Sequence, residues 1–371
     1  MKVCYLGPGA YAGRVAHAGW PVPPELCDRQ VASSSLNSVL NQFQLADELG
    51  FDWISVSEHH YAPRLMTPNP VVLAAAASQR TKNVKIALLG PLIPLVNPVR
   101  VAEEIAMLDA INGGRTVALF LRGTPNEHLT YAVDEARPAH TREVTQEGVR
   151  LILKAWTEPE PFSWRGDYFQ FEHVAVWPRG LQEPHPPVFY SGNSFESIEF
   201  AAAHRLNLAI GFSPAEVVDE HIQYYKARAR DAGWEPTNDN VLYRARVLVA
   251  DDDEQALNIV NRNSPPTRPT TAAAKPESNG STERAPQAPT NLAAGQGGGN
   301  PGVGGFQFYG HPRTILDQVR RFHEIGVGIL DIAFAPDAYG RGGTQKAMEA
   351  FAAVLPEIQR LSRHDGAVPA D

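Results

Sequence analysis

The sequence predicts a (β/α)₈ barrel, and three observations carry that prediction. Eight short runs rich in β-branched residues recur along the chain. Most of them are apolar throughout rather than alternating, as strands buried on both faces must be. Amphipathic segments of helical period fall between them.

The strands are read in order as Val3–Leu6, Trp53–Val56, Val84–Leu89, Thr116–Leu121, Val188–Tyr190, Leu208–Ile210, Leu242–Val249 and Ile329–Phe334. The first helix is read over Ser35–Leu49, with apolar Leu36, Val39, Leu40 and Phe43 on one face, the serines before Leu36 as N-caps and Gly50 as the stop. Pro98–Ile111 opens on a first-turn proline and ends at Asn112-Gly113. Thr141–Trp156, Ser194–His204, Ala215–Ala232 and Pro312–Ile325 complete the helical readings. A doubly wound sheet also alternates, but eight strands favour the barrel.

One stretch falls outside the pattern. Asn261–Gly305 holds 7 Pro and 8 Gly, and only Leu292 and Val303 are large and apolar. It cannot bury enough surface to offset its ordering entropy, so it reads as an insertion after the seventh strand, either a disordered insert or a lid over a ligand. The chain is then one barrel: residues 1–260 carry strands one to seven, 261–305 the insertion, and 306–371 a helix, the eighth strand and a last helix.

Composition excludes several function classes. The formal net charge is −8, with 33 Lys and Arg against 41 Asp and Glu, which argues against a nucleic-acid binder. No apolar run approaches the length of a membrane span. The run Val3–Leu6 is too short for a signal peptide, so a cytoplasmic protein is expected. Cys4 and Cys27 are too few for a disulfide framework or a zinc ribbon, and there is no HExxH motif, so no metal site is expected.

A barrel places its chemistry at the C-terminal ends of its strands. Ser57-Glu58-His59-His60 follows the second strand. It is either a catalytic imidazole site, suited to proton transfer near neutrality, or a strand end whose histidines are satisfied by hydrogen bonds. Arg122 ends the fourth strand and needs an anion, either a ligand phosphate or an internal carboxylate. Ser191-Gly192-Asn193-Ser194 opens a helix after the fifth strand, where amide N–H groups and small hydroxyl side chains can cradle an anion. Neighbouring strands would bring both features to one phosphate. The insertion carries four basic residues against two acidic ones, leaving −10 on the rest, so such a site needs a local cation, and Arg122 supplies it. Tyr5, His17, Trp20, Phe212 and Tyr309 are candidates to line a substrate pocket.

The segments SEHHYAPRLMTPNP, GPLIPLVNPVRVAEEIAMLDAINGGR, the strand ending LRG, and PHPPVFYSGNS occur in an order and spacing that resemble the bacterial luciferase family of flavin-dependent monooxygenases. The likeness runs from Asn41 to Gln255 and resumes from His311 to Leu355. It implies a (β/α)₈ barrel that uses reduced FMN, supplied by a separate flavin reductase, and O₂. Through a C4a-hydroperoxyflavin it would oxygenate a small organic substrate. His59 matches the family's catalytic histidine and His60 the second of that pair. Arg122, Asn193, Ser194 and Ser197 match its phosphate-binding positions. Leu89-Gly90 sits where members carry a non-proline cis peptide under the flavin ring. The resemblance also implies a homodimer through the helices Pro70–Arg80 and Pro98–Ile111. Leu121 stands where luciferase has a cysteine, and Asn193-Ser194 where it has Glu-Ser, which argues against light emission but not against oxygenation. F420-dependent hydride transfer on the same barrel is the alternative, and a flavin-binding relative without turnover is a second.

Overall fold

A computed structural model describes residues 1–17, 19–130, 138–263, 305–340 and 342–361. Its strands are β1 Lys2–Leu6, β2 Trp53–Ser57, β3 Lys85–Leu92, β4 Thr116–Leu121, β5 Phe162–Arg165, β6 Gln170–Val174, β7 Val188–Ser191, β8 Asn207–Gly211, β9 Val241–Val249, β10 Phe308–Gly310 and β11 Ile329–Phe334. Its helices are α1 Arg29–Glu48, α2 Pro70–Ser78, α3 Pro98–Ile111, α4 Pro125–Thr130, α5 Pro138–Thr157, α6 Phe195–Ala203, α7 Ala215–Asp231, α8 Asp253–Asn263, α9 Pro312–Glu324, α10 Gly343–Ala352 and α11 Leu355–Arg360.

Eight parallel strands run in the order β1-β2-β3-β4-β7-β8-β9-β11, and β11 pairs back onto β1 to close the ring. These are the eight strands expected, and the fold is the (β/α)₈ barrel. Both faces of each strand are covered, which explains the unbroken apolar runs. Val241, Tyr243, Ala245 and Val247 of β9 pack outward against the helices, in a cluster shared with Val101, Ile222 and Phe351. Leu242 faces inward with Leu6, Trp53, Leu89, Leu119 and Phe189.

Two strand features were not read from the sequence. The antiparallel hairpin β5–β6 lies apart from the barrel sheet, between α5 and β7. Buried Glu147 of α5 holds its loop, accepting the N–H groups of Asp167, Tyr168 and Phe169 at 3.0, 3.1 and 2.9 Å and the Trp164 indole at 3.1 Å. Strand β10 adds to the edge of β9 beyond the point where β8 ends, Phe308 facing Val247 while Gly211 faces Arg244.

Two expected boundaries move. Helix α1 begins at Arg29, not Ser35, because Asp28 is its cap and accepts the Gln30 and Val31 N–H groups at 2.8 and 3.0 Å. Ser34 and Ser35 lie inside the helix and return their hydroxyls to the Val31 carbonyl at 2.9 and 2.6 Å, so they need no terminal position. Helix α8 runs to Asn263, so the first three residues assigned to the insertion are helical. Residues 264–304, with the lid reading that falls on them, lie outside the described residues. Gly50, at φ +84°, does stop α1, and Asn97 caps α3 ahead of Pro98.

The loops on the C-terminal side position the site. Between Leu89 and Gly90 the pairing of β3 with β4 shifts register, and Gly90 takes φ +136°. A Cβ there would stand 2.9 Å from the Glu58 Cβ, so only glycine fits. The cis bond expected at Leu89-Gly90 is not found. The cis bond is Gly90-Pro91, one residue on, where proline's tertiary amide accommodates that form.

Candidate functional site

The C-terminal mouth of the barrel opens into a cavity of about 300 Å³ walled by residues from the ends of β2, β3, β4, β7, β8 and β9. One side is apolar, with Leu89, Leu92, Leu119 and Leu242 in the wall. The other is polar and divides into three groups.

The first follows β2. Ser57 is buried and lines the cavity, and its hydroxyl has no hydrogen-bond partner among the described residues. His59 lines the cavity, and its Nδ1 lies 2.7 Å from the Glu127 Oε1. The other Glu127 oxygen accepts the Thr124 N–H and hydroxyl at 2.7 and 3.0 Å. Burial pushes the Glu127 carboxyl up, but the His59 contact and the two Thr124 bonds outweigh it and hold the group below its ordinary value. An ionised Glu127 only accepts, so it places the proton of a neutral His59 on Nδ1 and leaves Nε2 as a bare acceptor.

The carboxyl of Glu127 makes a pH prediction. A lowered folded pKa adds stability that is complete above the ordinary glutamate range and is lost as pH falls through the folded value. The stability gap between wild type and Glu127→Gln is therefore expected to be widest near neutrality and to narrow as pH falls below about 4.5. Urea midpoints at a series of pH values measure it, and a gap independent of pH contradicts the ionised assignment.

His60 is placed differently. It is buried, is absent from the cavity wall, and its Nε2 lies 2.9 Å from the Glu58 Oε1. The second Glu58 oxygen accepts the Leu92 N–H at 3.0 Å, so this pair braces the end of β2 against β3. The two histidines expected to act together thus face different surroundings.

The second group gathers at α6. Arg122 leaves the end of β4, and the Gly123 turn, at φ +85°, sends the chain into α4. The His128 Nε2 holds the Arg122 carbonyl at 2.9 Å, which fixes the backbone at that point. The Arg122 guanidinium lines the cavity and has no ion pair or hydrogen bond among the described residues. Asn193, Ser194 and Ser197 line it too. Ser194 caps α6, accepting the Ser197 N–H at 3.4 Å, and Asn193 accepts the Gly211 N–H at 3.2 Å. Gly192 is required because a Cβ would come within 2.6 Å of Leu208. Arg142 of α5 joins them, with its Nη1 3.6 Å from the exposed Glu196 carboxylate. The structure therefore brings together Arg122, Asn193, Ser194 and Ser197 and adds a second guanidinium.

The third group lies below. The Arg244 Nε donates to Asp331 at 2.8 Å, and the other Asp331 oxygen accepts the Ser55 hydroxyl at 2.7 Å. Asp331 is fully buried while Arg244 reaches the cavity floor. Glu127, Arg142 and this network escaped the sequence reading. Carboxylate and guanidinium inside apolar strands, in ILDIAF and LYRARVLV, were the available signal for the third group. Of the five proposed pocket residues only Phe212 lines this cavity. Tyr5 is in the outer core against Phe43, Phe51 and Phe334. Trp20 packs on Tyr61 and donates to the His60 carbonyl at 3.1 Å.

Parallel barrel, cation-lined helix N-terminus and half-buried histidine–carboxylate pair together define a class of barrel whose mouth sets basic groups beside an imidazole. The particular family follows from comparison: the luciferase-like monooxygenase family model matches residues 17–328, and the chain belongs to that family. It is 26% identical to the oxygenase component of the flavin-dependent trigonelline monooxygenase of Acinetobacter baylyi over 196 residues, 53% of each chain. The chain spans about half the length of the curated relatives it matches. Among solved structures, it superposes on the oxygenating constituent of 3,6-diketocamphane monooxygenase of Pseudomonas putida, a type II Baeyer-Villiger monooxygenase in complex with FMN. There the TM-score is 0.70 at 19% identity, over 96% of this chain and 98% of that one. An F420-dependent secondary alcohol dehydrogenase gives 0.68 at 16% identity over 96% and 98%. At these identities the structural likeness concerns the fold. Among the described residues, no cluster of three or more His, Cys, Asp or Glu is arranged to hold a metal, and no helix is long and apolar enough to cross a membrane.

Proposed function

We propose that this chain is the oxygenase component of a two-component system: it takes reduced FMN from a separate flavin reductase, and O₂, and oxygenates a small organic substrate. The observation that carries the reading is the convergence of Arg122, Arg142 and the α6 N-terminus on the same cavity as His59. Bound reduced FMN supplies the electrons that activate O₂. The residues present fit that group. Two guanidiniums and the hydroxyls of Ser194 and Ser197 suit a dianionic phosphate. Leu89 and Leu242 offer an apolar wall to a flat ring, and the Ser57 hydroxyl, without a partner among the described residues, offers one hydrogen bond.

In this reading His59 holds or moves a proton at Nε2, with Glu127 fixing its tautomer. His60 is a positioning residue that acts through Glu58 and β3, as does Gly90, which keeps Leu89 in the wall. The exposed apolar side chains Val72 of α2 and Met107 and Ile111 of α3 support the homodimer proposed through those helices.

F420-dependent hydride transfer is the second reading, because the superposition on the alcohol dehydrogenase is nearly as good. A rate of O₂ uptake by chemically reduced FMN that the chain changes relative to reduced FMN alone, and no turnover with reduced F420, is the expected result; the reverse overturns the proposal. Arg122→Gln is expected to weaken FMN binding by about 1.5–3 kcal/mol, the range for a hydrogen bond to a charged group. Unchanged affinity in a fluorescence titration removes Arg122 from the phosphate site.

A further inference from the structure

Arg244 is a cation built into the interior of the barrel. It stands on β9 between Tyr243 and Ala245, whose side chains pack outward among the helices, so the alternation of the strand turns it inward. A guanidinium is costly to place there, and the sequence supplies a fixed counter-charge. Asp331, its register partner on β11, is fully buried and accepts the Nε–H at 2.8 Å. The second Asp331 oxygen accepts the Ser55 hydroxyl at 2.7 Å, which holds the carboxylate in place from the other side.

This pair uses only the Nε–H of the guanidinium. Neither Nη1 nor Nη2 has a hydrogen bond among the described residues. Both keep an open side, and the residue lines the cavity that holds His59. The strand on the other flank leaves that space free. Gly211 of β8 is the register partner there and has no side chain. Among the described residues, even a Cβ built on it would meet only the Arg244 Cβ, at 3.8 Å. An ion pair that served the fold alone would have no use for an open flank. Here the unused N–H groups face a cavity whose nearby wall, with Ala209, Phe212 and Leu242, is apolar.

The charge of this donor group differs from that at α6. Arg122 has no carboxylate partner among the described residues, and Arg142 meets the exposed Glu196 at 3.6 Å, so that end keeps positive charge for an anion. Arg244 is compensated by Asp331. Its terminal N–H groups therefore offer direction and hydrogen bonding with little net charge. Glu127, held ionised in the same cavity wall, further disfavours a second anion.

We propose that Arg244 determines specificity in this cavity: its terminal nitrogens bind the carbonyl oxygen of an uncharged substrate, a ketone or an aldehyde, whose apolar body lies against the leucine wall. A carbonyl oxygen has lone pairs for both nitrogens of the planar fork, whereas a carboxylate would bring an uncompensated charge. Asp331 is the positioning residue that aims the fork. That the bound compound is the substrate rests on the oxygenase reading; the carbonyl site itself does not.

Binding without turnover tests it. Acetophenone, benzoate and α-methylstyrene, in which a methylene replaces the carbonyl oxygen of acetophenone, are titrated into the full chain, alone and saturated with FMN. The proteins are wild type, Arg244→Lys and Arg244→Met/Asp331→Leu. The lysine variant keeps a cation for Asp331 but loses the fork, and the double variant removes both charges together, so neither leaves an orphaned carboxylate inside. Urea midpoints check that each is folded. Wild type is expected to bind acetophenone about tenfold or more tightly than α-methylstyrene, the scale of one hydrogen bond to a charged group. That preference should fall severalfold in the lysine variant and vanish in the double variant, with FMN affinity as in wild type. No preference in wild type, or one that survives the double substitution, overturns the proposal. So does benzoate binding to the FMN-saturated chain that is tighter than that of acetophenone and lost with Arg244, which would make this an anion site. A carbonyl preference that disappears when FMN is bound, or FMN affinity that falls with it, overturns it too, because Arg244 would then serve the flavin. If FMN fails to bind wild type while the carbonyl pattern holds, the oxygenase reading falls and the carbonyl site stands.

Discussion

His59→Ala is expected to lower product formation by about two to four orders of magnitude, the range for loss of a positioned proton-transfer group. FMN affinity should be largely retained. The division follows from geometry. His59 stands at the β2 end of the cavity, tied to Glu127, whereas the cation and hydroxyl groups suited to phosphate come from β4, α5 and α6. Removing the imidazole takes away Nε2, the ring nitrogen left as an acceptor when Nδ1 is committed to Glu127. It leaves Arg122, Arg142 and Ser194 untouched. The measurement is product formed per O₂ consumed with reduced FMN supplied chemically, beside an FMN titration of the same variant. His60→Ala serves as the contrast: it acts through Glu58 and β3 and should raise the KM or soften the fold without removing the proton acceptor. Product formation by His59→Ala at the wild-type level would remove the histidine from the chemistry. Loss of FMN binding equal to the loss of activity would make its role structural.

The barrel was legible because parallel strands covered on both faces leave unbroken apolar runs, and most of the eight do so. The hairpin β5–β6 was not, because its strands are short and half exposed, with the pattern of any surface loop. Serine was a weak guide to the start of α1, since a hydroxyl is satisfied equally well at a cap and one turn inside. Arg122, Asn193 and Ser194 were legible because each lies at a strand end or a helix start, where position alone decides direction; Ser197 came only from the resemblance. Glu127 and Arg142 reach the cavity from α4 and α5, and their side chains meet partners 68 and 54 positions away, His59 and Glu196. Nothing local separates them from ordinary solvated charges. Asp331 was the more readable omission. A carboxylate within an apolar strand has to find a cation, and β9 is the neighbouring strand that offers one.

That buried pair sets the second large expectation. Asp331→Ala should destabilise the fold by about 3–5 kcal/mol, the cost of leaving one member of a buried ion pair without its partner. Asp331 is fully buried and the Arg244 side chain is 12% exposed, so water gives the orphaned guanidinium little relief. The Ser55 hydroxyl loses its acceptor as well. Cys4 reports the same environment: burial, and then the charge of Asp331, push its thiol well above the ordinary value, so it stays protonated and supplies no compensating anion. Urea denaturation of wild type, Asp331→Ala and the double variant Arg244→Met/Asp331→Leu separates charge from packing. The double variant should recover most of the loss, because an apolar pair of similar volume carries no desolvation cost. An Asp331→Ala midpoint equal to wild type would mean that Arg244 leaves the interior freely and that the ion pair is incidental. If the double variant is stable yet fails to turn over, the pair exists to carry a cation to the cavity floor rather than to hold the barrel together. Arg244, with its Nε committed to Asp331, would then present its remaining N–H groups to whatever occupies the space beside His59.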